Sequence, residues 1–281
     1  MLKQRVITAM IFAGLIISAV IFLPTMLLAL VLAIITCVAA WEWAACAGFG
    51  ANSHKILYVS VILLCLVACL KFLDNQWTIL IIYCGLVWWC VAMFLVMRYQ
   101  TNKNINLSSS LLKAMIGGVI LVPSWLSLIL IHSGKSGAAL ANTSGAGLVL
   151  FLFFLIWLAD SAAYFSGKKF GSKRLASNVS PGKSWEGVFG ALSMSFLVGV
   201  SYVFYSEMQF TYAILFLVLV LLTVSFSILG DLVESMFKRM AGIKDSGHIL
   251  PGHGGVLDRI DSLTSAAPVF FAGLCAMERV L

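Results

Sequence analysis

The residues best suited to chemistry are concentrated near the end of the chain, between Gly230 and Asp261. Elsewhere the 281-residue chain has a membrane-like composition, with 62% hydrophobic and only 10% charged residues overall. Ionisable groups persist near a bilayer mainly where they have partners and a function. This segment nevertheless holds five of the 11 acidic residues and two of the four histidines, with four basic residues: Asp231, Glu234, Asp245, Asp258, Asp261, His248, His253, Lys238, Arg239, Lys244 and Arg259. The sequence therefore predicts a functional site here.

The spacing of the acids predicts two polar helix faces within this segment. Asp231, Glu234 and Lys238 recur at intervals of three and four residues, which places them on one face of a helix. Asp258 and Asp261 share a face in the same way, at the start of the following apolar run. An acid at that position is also favoured simply because it complements a helix N-terminus, and this alternative stays open.

Two stretches have the composition of anion-binding loops. In the first, Gly254 and Gly255 would let a phosphate approach the backbone without obstruction by side chains. In the second, Ser180, Lys183 and Ser184 precede a predicted helix, whose N-terminal N–H groups attract anions. The alternative for the second stretch is an ordinary helix cap at Ser180, with Pro181 in the first turn, and both interpretations can hold together.

A further acid, Asp160, lies within an apolar run and must face protein, water or a cation. It is either a structural carboxylate paired with a basic residue or part of a binding site. Carboxylates combined with phosphate oxygens are the usual ligands of Mg²⁺. The histidines lack zinc-site spacing, and no nucleophile motif indicates acyl transfer. We therefore expect metal-assisted phosphoryl or nucleotidyl transfer. Our hypothesis is that Asp231 and Asp258 anchor the metal, with Asp261 and Asp160 as supports.

The elements that must position these residues are transmembrane helices. About nine apolar runs approach or exceed the ~20 residues that cross a bilayer, at roughly 6–23, 26–46, 56–73, 77–97, 112–131, 148–166, 185–205, 211–231 and 262–280. We predict an all-α polytopic protein with a single integral membrane domain over 1–281. Its N-terminal helices occupy 1–140, and its catalytic half occupies 141–281.

The distribution of basic residues predicts the orientation. With the N-terminus in the cytoplasm, the cytoplasmic loops receive every Lys and Arg except Lys71, Lys135 and Arg279. This bias predicts an N-in, C-out topology, with both polar loops facing the cytoplasm. The net charge of +7 is partly this bias, and the sequence contains no nucleic-acid-binding module.

The C-terminal segment resembles the signature of the CDP-diacylglycerol synthases, also called phosphatidate cytidylyltransferases. The matching pattern is Ser235-Met-Phe-Lys238-Arg239-x4-Lys244-Asp245-x-Gly247-x3-Pro251-x-His253-Gly254-Gly255-x2-Asp258-Arg259-x-Asp261. Similar elements elsewhere are Ala159 to Tyr164, Ser180 to Lys183, Gly230-Asp231 and Trp41-Glu42-Trp43. The resemblance implies a bacterial inner-membrane enzyme of phospholipid biosynthesis with its active site facing the cytoplasm.

The resemblance also implies a reaction and its participants. CTP and phosphatidate would give CDP-diacylglycerol and pyrophosphate, with Mg²⁺, a second monovalent cation such as K⁺, and a homodimer. We assign catalysis to Asp231, Lys244, Asp245, His253, Asp258, Arg259 and Asp261. We assign substrate binding to Asp160, Ser180, Lys183, Ser184, Lys238, Arg239, Gly254 and Gly255. A secondary transporter with intramembrane carboxylates and a CTP-using polyprenol kinase-like enzyme are the alternatives.

Overall fold

The computed structural model describes residues 2–73, 75–101, 105, 107–135, 143–247, 249 and 254–280. Within these residues the chain forms nine α-helices and one small β-hairpin. The helices are α1 (Leu2–Phe22), α2 (Thr25–Cys46), α3 (Asn52–Lys71), α4 (Gln76–Gln100), α5 (Ser110–His132), α6 (Gly145–Phe170), α7 (Trp185–Tyr205), α8 (Phe210–Met240) and α9 (Leu257–Val280). The predicted all-α class is confirmed.

Eight of the described helices, α2 to α9, are long and apolar enough to cross a membrane. In α1, the part whose side chains the structure describes forms a shorter apolar stretch, Met10–Phe22. Large apolar side chains point outward along the bundle, for example Phe22, Leu64 and Phe204, which are 78%, 68% and 78% exposed. Such an apolar surface suits contact with hydrocarbon. The helices themselves are compatible with lipid because they satisfy their backbone hydrogen bonds internally.

The centre of the bundle is α5, which is buried along most of its length. It packs against α2, α4, α6 and α9. Small residues allow close packing at these contacts. A side chain at Gly117 would overlap the ring of Trp43 on α2 and the hydroxyl of Tyr58 on α3. Helices in membranes associate closely through such small residues.

The hairpin and the extension of α8 were not part of the predicted span pattern. The hairpin consists of the antiparallel strands β1 (Arg174–Ala176) and β2 (Ser180–Ser184), and it connects α6 to α7. Helix α8 continues to Met240, nine residues beyond the predicted end of its span at about 231. The predicted helical face of Asp231, Glu234 and Lys238 is thereby confirmed as the final part of one long helix.

Candidate active site

The charged residues meet at one end of the bundle. The hairpin, the last turns of α8 and the first turns of α9 all lie there, with the C-terminal ends of α2 and α4 beside them. The acids and lysines at this end form two neighbouring clusters.

The first cluster is built around Lys183, at the end of the hairpin. Its Nζ lies 2.5 Å from Oδ2 of Asp231 on α8. Both side chains are partly accessible, with exposed fractions of 25% and 31%. Asp160 on α6 lies within electrostatic range of both groups, and Asp261 on α9 lies within range of both as well. Four elements therefore bring three carboxylates around one lysine.

A glycine explains why α8 and α9 approach each other closely enough for this. A Cβ at Gly230 would overlap Oγ of Ser265 and the backbone oxygen of Asp261 on α9. The hydroxyl of Ser265 donates a 2.6 Å hydrogen bond to the backbone oxygen of Phe226, one turn earlier on α8. The close contact places Asp231, the next residue on α8, beside Asp261.

The second cluster is built around Lys238, which is only 12% exposed. Its Nζ donates to Oδ1 of Asp258 at 2.5 Å and lies 3.3 Å from Oε1 of Glu234, one turn earlier on α8. The side chain of Glu234 is 4% exposed. A lysine between two poorly accessible carboxylates is strongly held, because removal of the lysine would leave both acids without a counter-charge. Lys238 therefore acts as a fixed link between α8 and α9.

Asp258 also organises the loop before α9. The backbone N–H of Ser246 donates to both carboxylate oxygens, at 3.3 and 3.0 Å, and that of Gly255 donates to Oδ2 at 2.9 Å. Gly254 has a positive φ of 81°, a conformation that favours glycine. Its position leaves no free space for a Cβ beside the Asp258 carboxylate.

The hairpin is held by α4 and α8. Gln100, the last residue of α4, donates from Nε2 to Oγ of Ser177 at 3.0 Å. It also accepts from the backbone N–H and the side-chain amide of Asn178, at 3.0 and 2.8 Å. Arg239 on α8 donates from Nε to the backbone oxygen of Val179 at 3.4 Å. These contacts fix the turn of the hairpin and hence the direction of Lys183.

The structure gives the predicted serines and loop residues different surroundings. Ser184 is buried and caps α7 by accepting from the N–H of Gly187 at 3.2 Å, so the cap predicted at Ser180 is wrong and lies four residues later. Ser180 is half-buried at the start of β2. Three predicted catalytic residues have exposed side chains at the edge of the site, namely Lys244, Asp245 and Arg259. His253 lies outside the described residues.

Sequence reasoning assigned no role to two residues that hold this site together, Gln100 and Glu42. The Glu42 carboxylate on α2 is buried and accepts hydrogen bonds from the loop and from the start of α9. A single acid in an otherwise apolar run was the available signal for Glu42. Gln100 offered no comparable signal, because its partners are 77 and 78 residues away in the chain.

The predicted metal ligands fit Mg²⁺ only in part. Across the part of the chain that the structure describes, no three Asp, Glu, His or Cys side chains are grouped closely enough to hold a metal ion. Mg²⁺ needs only one or two carboxylates when phosphate oxygens and water complete its shell. Asp231 and Asp261 match this requirement in donor type, although Lys183 pairs with Asp231. Asp258 is less suitable, because it is less exposed than Asp231 and two backbone N–H groups engage it in addition to a lysine.

Eight membrane-length helices and paired charges at one end of the bundle define an integral membrane protein with a polar site. The chain belongs to the cytidylyltransferase family, whose family model matches residues 3–276. It is 41% identical to a phosphatidate cytidylyltransferase of Pseudomonas aeruginosa over 276 residues, which cover 98% of each chain. It is 36% identical to that of Haemophilus influenzae, covering 96% of this chain and 97% of the relative.

Proposed function

We propose that the protein transfers the cytidylyl group of CTP to phosphatidate, forming CDP-diacylglycerol and pyrophosphate. The observation that carries this proposal is the similarity to the Pseudomonas aeruginosa relative, which extends over 98% of both chains. The charge distribution supports it. Lysines and carboxylates at one end of an apolar bundle suit a reaction between a lipid phosphate and a nucleotide.

The proposed step is a displacement at phosphorus. An oxygen of the phosphatidate phosphate forms a bond to the α-phosphorus of CTP. The bond from that phosphorus to the oxygen bridging to the β-phosphorus breaks, and pyrophosphate leaves with the electron pair. A phosphate monoester is already anionic at neutral pH, so the attacking oxygen needs no strong base. The main obstacle is the approach of two anions, which catalysis meets by electrostatic stabilisation and positioning.

The side chains have distinct roles in this proposal. Lys183 is the cation nearest the accessible carboxylates, and we assign it to a substrate phosphate. Exposed Lys244 and Arg259 would attract the triphosphate at the edge of the site. A phosphate contact of His253, which lies outside the described residues, stays a prediction from the sequence. Lys238 is enclosed by Asp258 and Glu234, so it positions α9 and the loop.

We propose Mg²⁺ as the cofactor, held by Asp231 and Asp261 with Asp160 nearby. When bound, the cation would neutralise phosphate charge and so favour the transfer. The partial accessibility of Asp231 supports this assignment, because substrate oxygens and water must share the coordination shell. Asp258 supports the site through its hydrogen bonds to the loop. A second, monovalent cation such as K⁺ remains a prediction from the family resemblance.

We further propose that the protein lies in the bacterial inner membrane, with this site facing the cytoplasm, and that it forms a homodimer. The orientation follows from the basic loops, which would all lie on the side where CTP is available. The placement of the hairpin and the α8–α9 loop at one end of the bundle supports a shared compartment for both.

Acceptor specificity tests the proposal. The purified protein in detergent would be supplied with CTP and, separately, phosphatidate, diacylglycerol or a polyprenol, and pyrophosphate release would be followed. Of the three acceptors, we expect only phosphatidate to cause release of pyrophosphate from CTP. Release of CDP with a polyprenol would instead indicate the kinase-like alternative. Ion or solute flux through reconstituted vesicles, without nucleotide turnover, would indicate a transporter.

A further inference from the structure

We infer that Glu42, on the second helix of the N-terminal half, is a positioning residue that holds the α8–α9 loop and the start of α9 in the geometry the site requires. As a statement about catalysis, this rests on the proposed function. As a statement about the loop, it stands on contacts alone. The α8–α9 loop comprises residues 241–256.

The contacts of Glu42 join parts of the chain that are more than 200 residues apart. Its Oε2 accepts from the hydroxyl of Ser246 at 3.1 Å and from the backbone N–H of Leu257 at 2.7 Å. Its Oε1 accepts from the backbone N–H of Val256 at 3.1 Å. The residue is 2% exposed. One carboxylate therefore binds Ser246 in the first half of the loop, the last residue of the loop and the first residue of α9.

The position of this acid is unfavourable for its own helix. Glu42 lies in the last turns of α2, where the helix dipole disfavours a negative charge. It lies at the N-terminus of α9, where the same effect favours a negative charge. A buried carboxylate requires hydrogen-bond partners, and Glu42 obtains these from the loop and α9. The acid at position 42 is therefore stabilised by its contacts with the α8–α9 loop and α9, and not by its own helix.

Two glycines provide the space for this carboxylate. A Cβ at Gly247 or at Gly255 would overlap the carboxylate of Glu42, and the one at Gly255 would also overlap Oγ of Ser246. The position that a Cβ of Gly255 would occupy is thus filled by the Glu42 carboxylate and the Ser246 hydroxyl. The phosphate-binding role predicted for this glycine stays a prediction, whereas its contact with Glu42 supplies a separate reason for a residue without a side chain.

The neighbouring tryptophan places α2 against the other end of the loop. The ring of Trp43 packs on Phe237 of α8, with centroids 4.9 Å apart, and its Nε1 donates to the backbone oxygen of Lys113 on α5. Phe237 directly precedes Lys238, the partner of Asp258. Consequently α2 contacts α8 immediately before the loop and α9 immediately after it.

This geometry gives Glu42 its effect on the site. The residues that it binds, Ser246, Val256 and Leu257, are next to those that define the second cluster. The N–H of Ser246 is itself a donor to Asp258, and Leu257 directly precedes Asp258. Loss of the carboxylate would release both segments around Asp258. Because small displacements of catalytic groups cost about a hundredfold in rate, the expected effect is on turnover.

Comparison of kcat for Glu42→Gln, Ser246→Ala and the double variant tests the inference. The amide keeps one acceptor and presents an NH₂ group to donors, so contacts are lost on one side. We expect Glu42→Gln to lower kcat by about a hundredfold while KM for CTP changes little. Ser246→Ala retains both backbone contacts and should lower kcat less. The double variant should be no slower than Glu42→Gln, because Ser246 Oγ acts through Glu42.

Hydrogen exchange provides a readout that does not depend on activity. Amides of Val256, Leu257 and Ser246 should exchange faster in Glu42→Gln than in the parent protein, while amides of α5 remain unchanged. Ser246→Ala should show a smaller acceleration of exchange at the same amides. This variant also tests the inference if Glu42→Gln does not fold. Glu207→Gln is the matched control, since Glu207 is an exposed acid after α7 at the opposite end of the bundle.

Two results would overturn the inference. The first is unchanged exchange at these amides in both variants. The second is a multiplicative effect of the two substitutions on kcat, which would show that Ser246 and Glu42 act independently. If the protein showed no cytidylyl transfer at all, the proposed function would fail, but the exchange measurement would still decide whether Glu42 holds the loop.

Discussion

At the scale of single residues, the site is built around two lysines that pair with carboxylates. Lys183 pairs with Asp231, and Lys238 pairs with Asp258 and Glu234. The two lysines differ in accessibility, since Lys183 is 25% exposed and Lys238 is 12% exposed. We therefore expect the first pair to open toward ligands and the second to remain a structural link.

Asp258→Asn should reduce turnover by at least about a hundredfold while the protein remains folded in the membrane. The amide is nearly isosteric, but it loses the charge that holds Lys238 and one acceptor for the loop N–H groups. Steady-state assays with thermal unfolding in detergent would measure both effects. Near-normal activity in a folded variant would remove Asp258 from the account.

Lys183→Met should lower kcat/KM by about a hundredfold, because the cation assigned to a substrate phosphate is removed and Asp231 is left without its partner. Lys183→Arg keeps the charge and should retain more activity. Kinetics with CTP and phosphatidate varied separately would show which substrate is affected. Equal loss in both variants would indicate that charge at this position is not the determining property.

At the scale of elements, the site depends on how closely helices approach and how loops are fixed. Gly230 allows α8 to contact α9, and this contact sets Asp231 beside Asp261. Gln100 and Arg239 hold the hairpin that carries Lys183. Each contact joins segments far apart in the chain.

Gly230→Ala should destabilise the protein by about 1–3 kcal/mol, since its Cβ overlaps Ser265 and the α9 backbone, and activity should fall with it. Gly14→Ala is the matched control, because a Cβ at Gly14 meets no atom within 4 Å. Thermal unfolding of both variants under identical detergent conditions checks this. A Gly230→Ala variant as stable and active as the control would contradict the close-packing argument.

Gln100→Ala should loosen the hairpin turn, which loses the two hydrogen bonds made by the Gln100 side chain and keeps the one to its backbone oxygen. We expect faster tryptic cleavage at exposed Lys173 and Arg174 and a severalfold lower activity. Gln209→Ala provides the comparison, because the side chain of Gln209 makes no capping hydrogen bond at α8. Equal cleavage rates in the two variants would show that α4 does not hold the hairpin.

At the scale of the whole molecule, composition and periodicity predicted the helical membrane class, because runs of about 20 apolar residues have few other stable forms. The helical face of α8 followed from its three- and four-residue spacing. The sequence could not predict the ion pair of Asp258 with Lys238 or the contacts of Glu42, because these depend on how separate helices pack. The hairpin was missed because β1 has only three residues and β2 contains Ser, Pro and Gly, which rarely indicate a strand.

The predicted topology can be checked with single cysteines at Glu207 and Lys173, both exposed, in a variant lacking the seven native cysteines. A membrane-impermeant maleimide should label Glu207→Cys in intact spheroplasts and Lys173→Cys only after the membrane is opened. The reason is that the basic hairpin loop should stay in the cytoplasm. The reverse pattern would place the site on the outer side, away from CTP.

The most direct test of cytidylyl transfer to phosphatidate is to follow the individual phosphates of CTP. Membranes containing the protein would be incubated with phosphatidate, Mg²⁺ and CTP labelled at either the α- or the γ-phosphorus, and the lipid phase would be extracted. Cytidylyl transfer predicts α-label in the lipid and γ-label in pyrophosphate. Appearance of γ-label in the lipid, or of no label in the lipid from folded protein, would contradict the account.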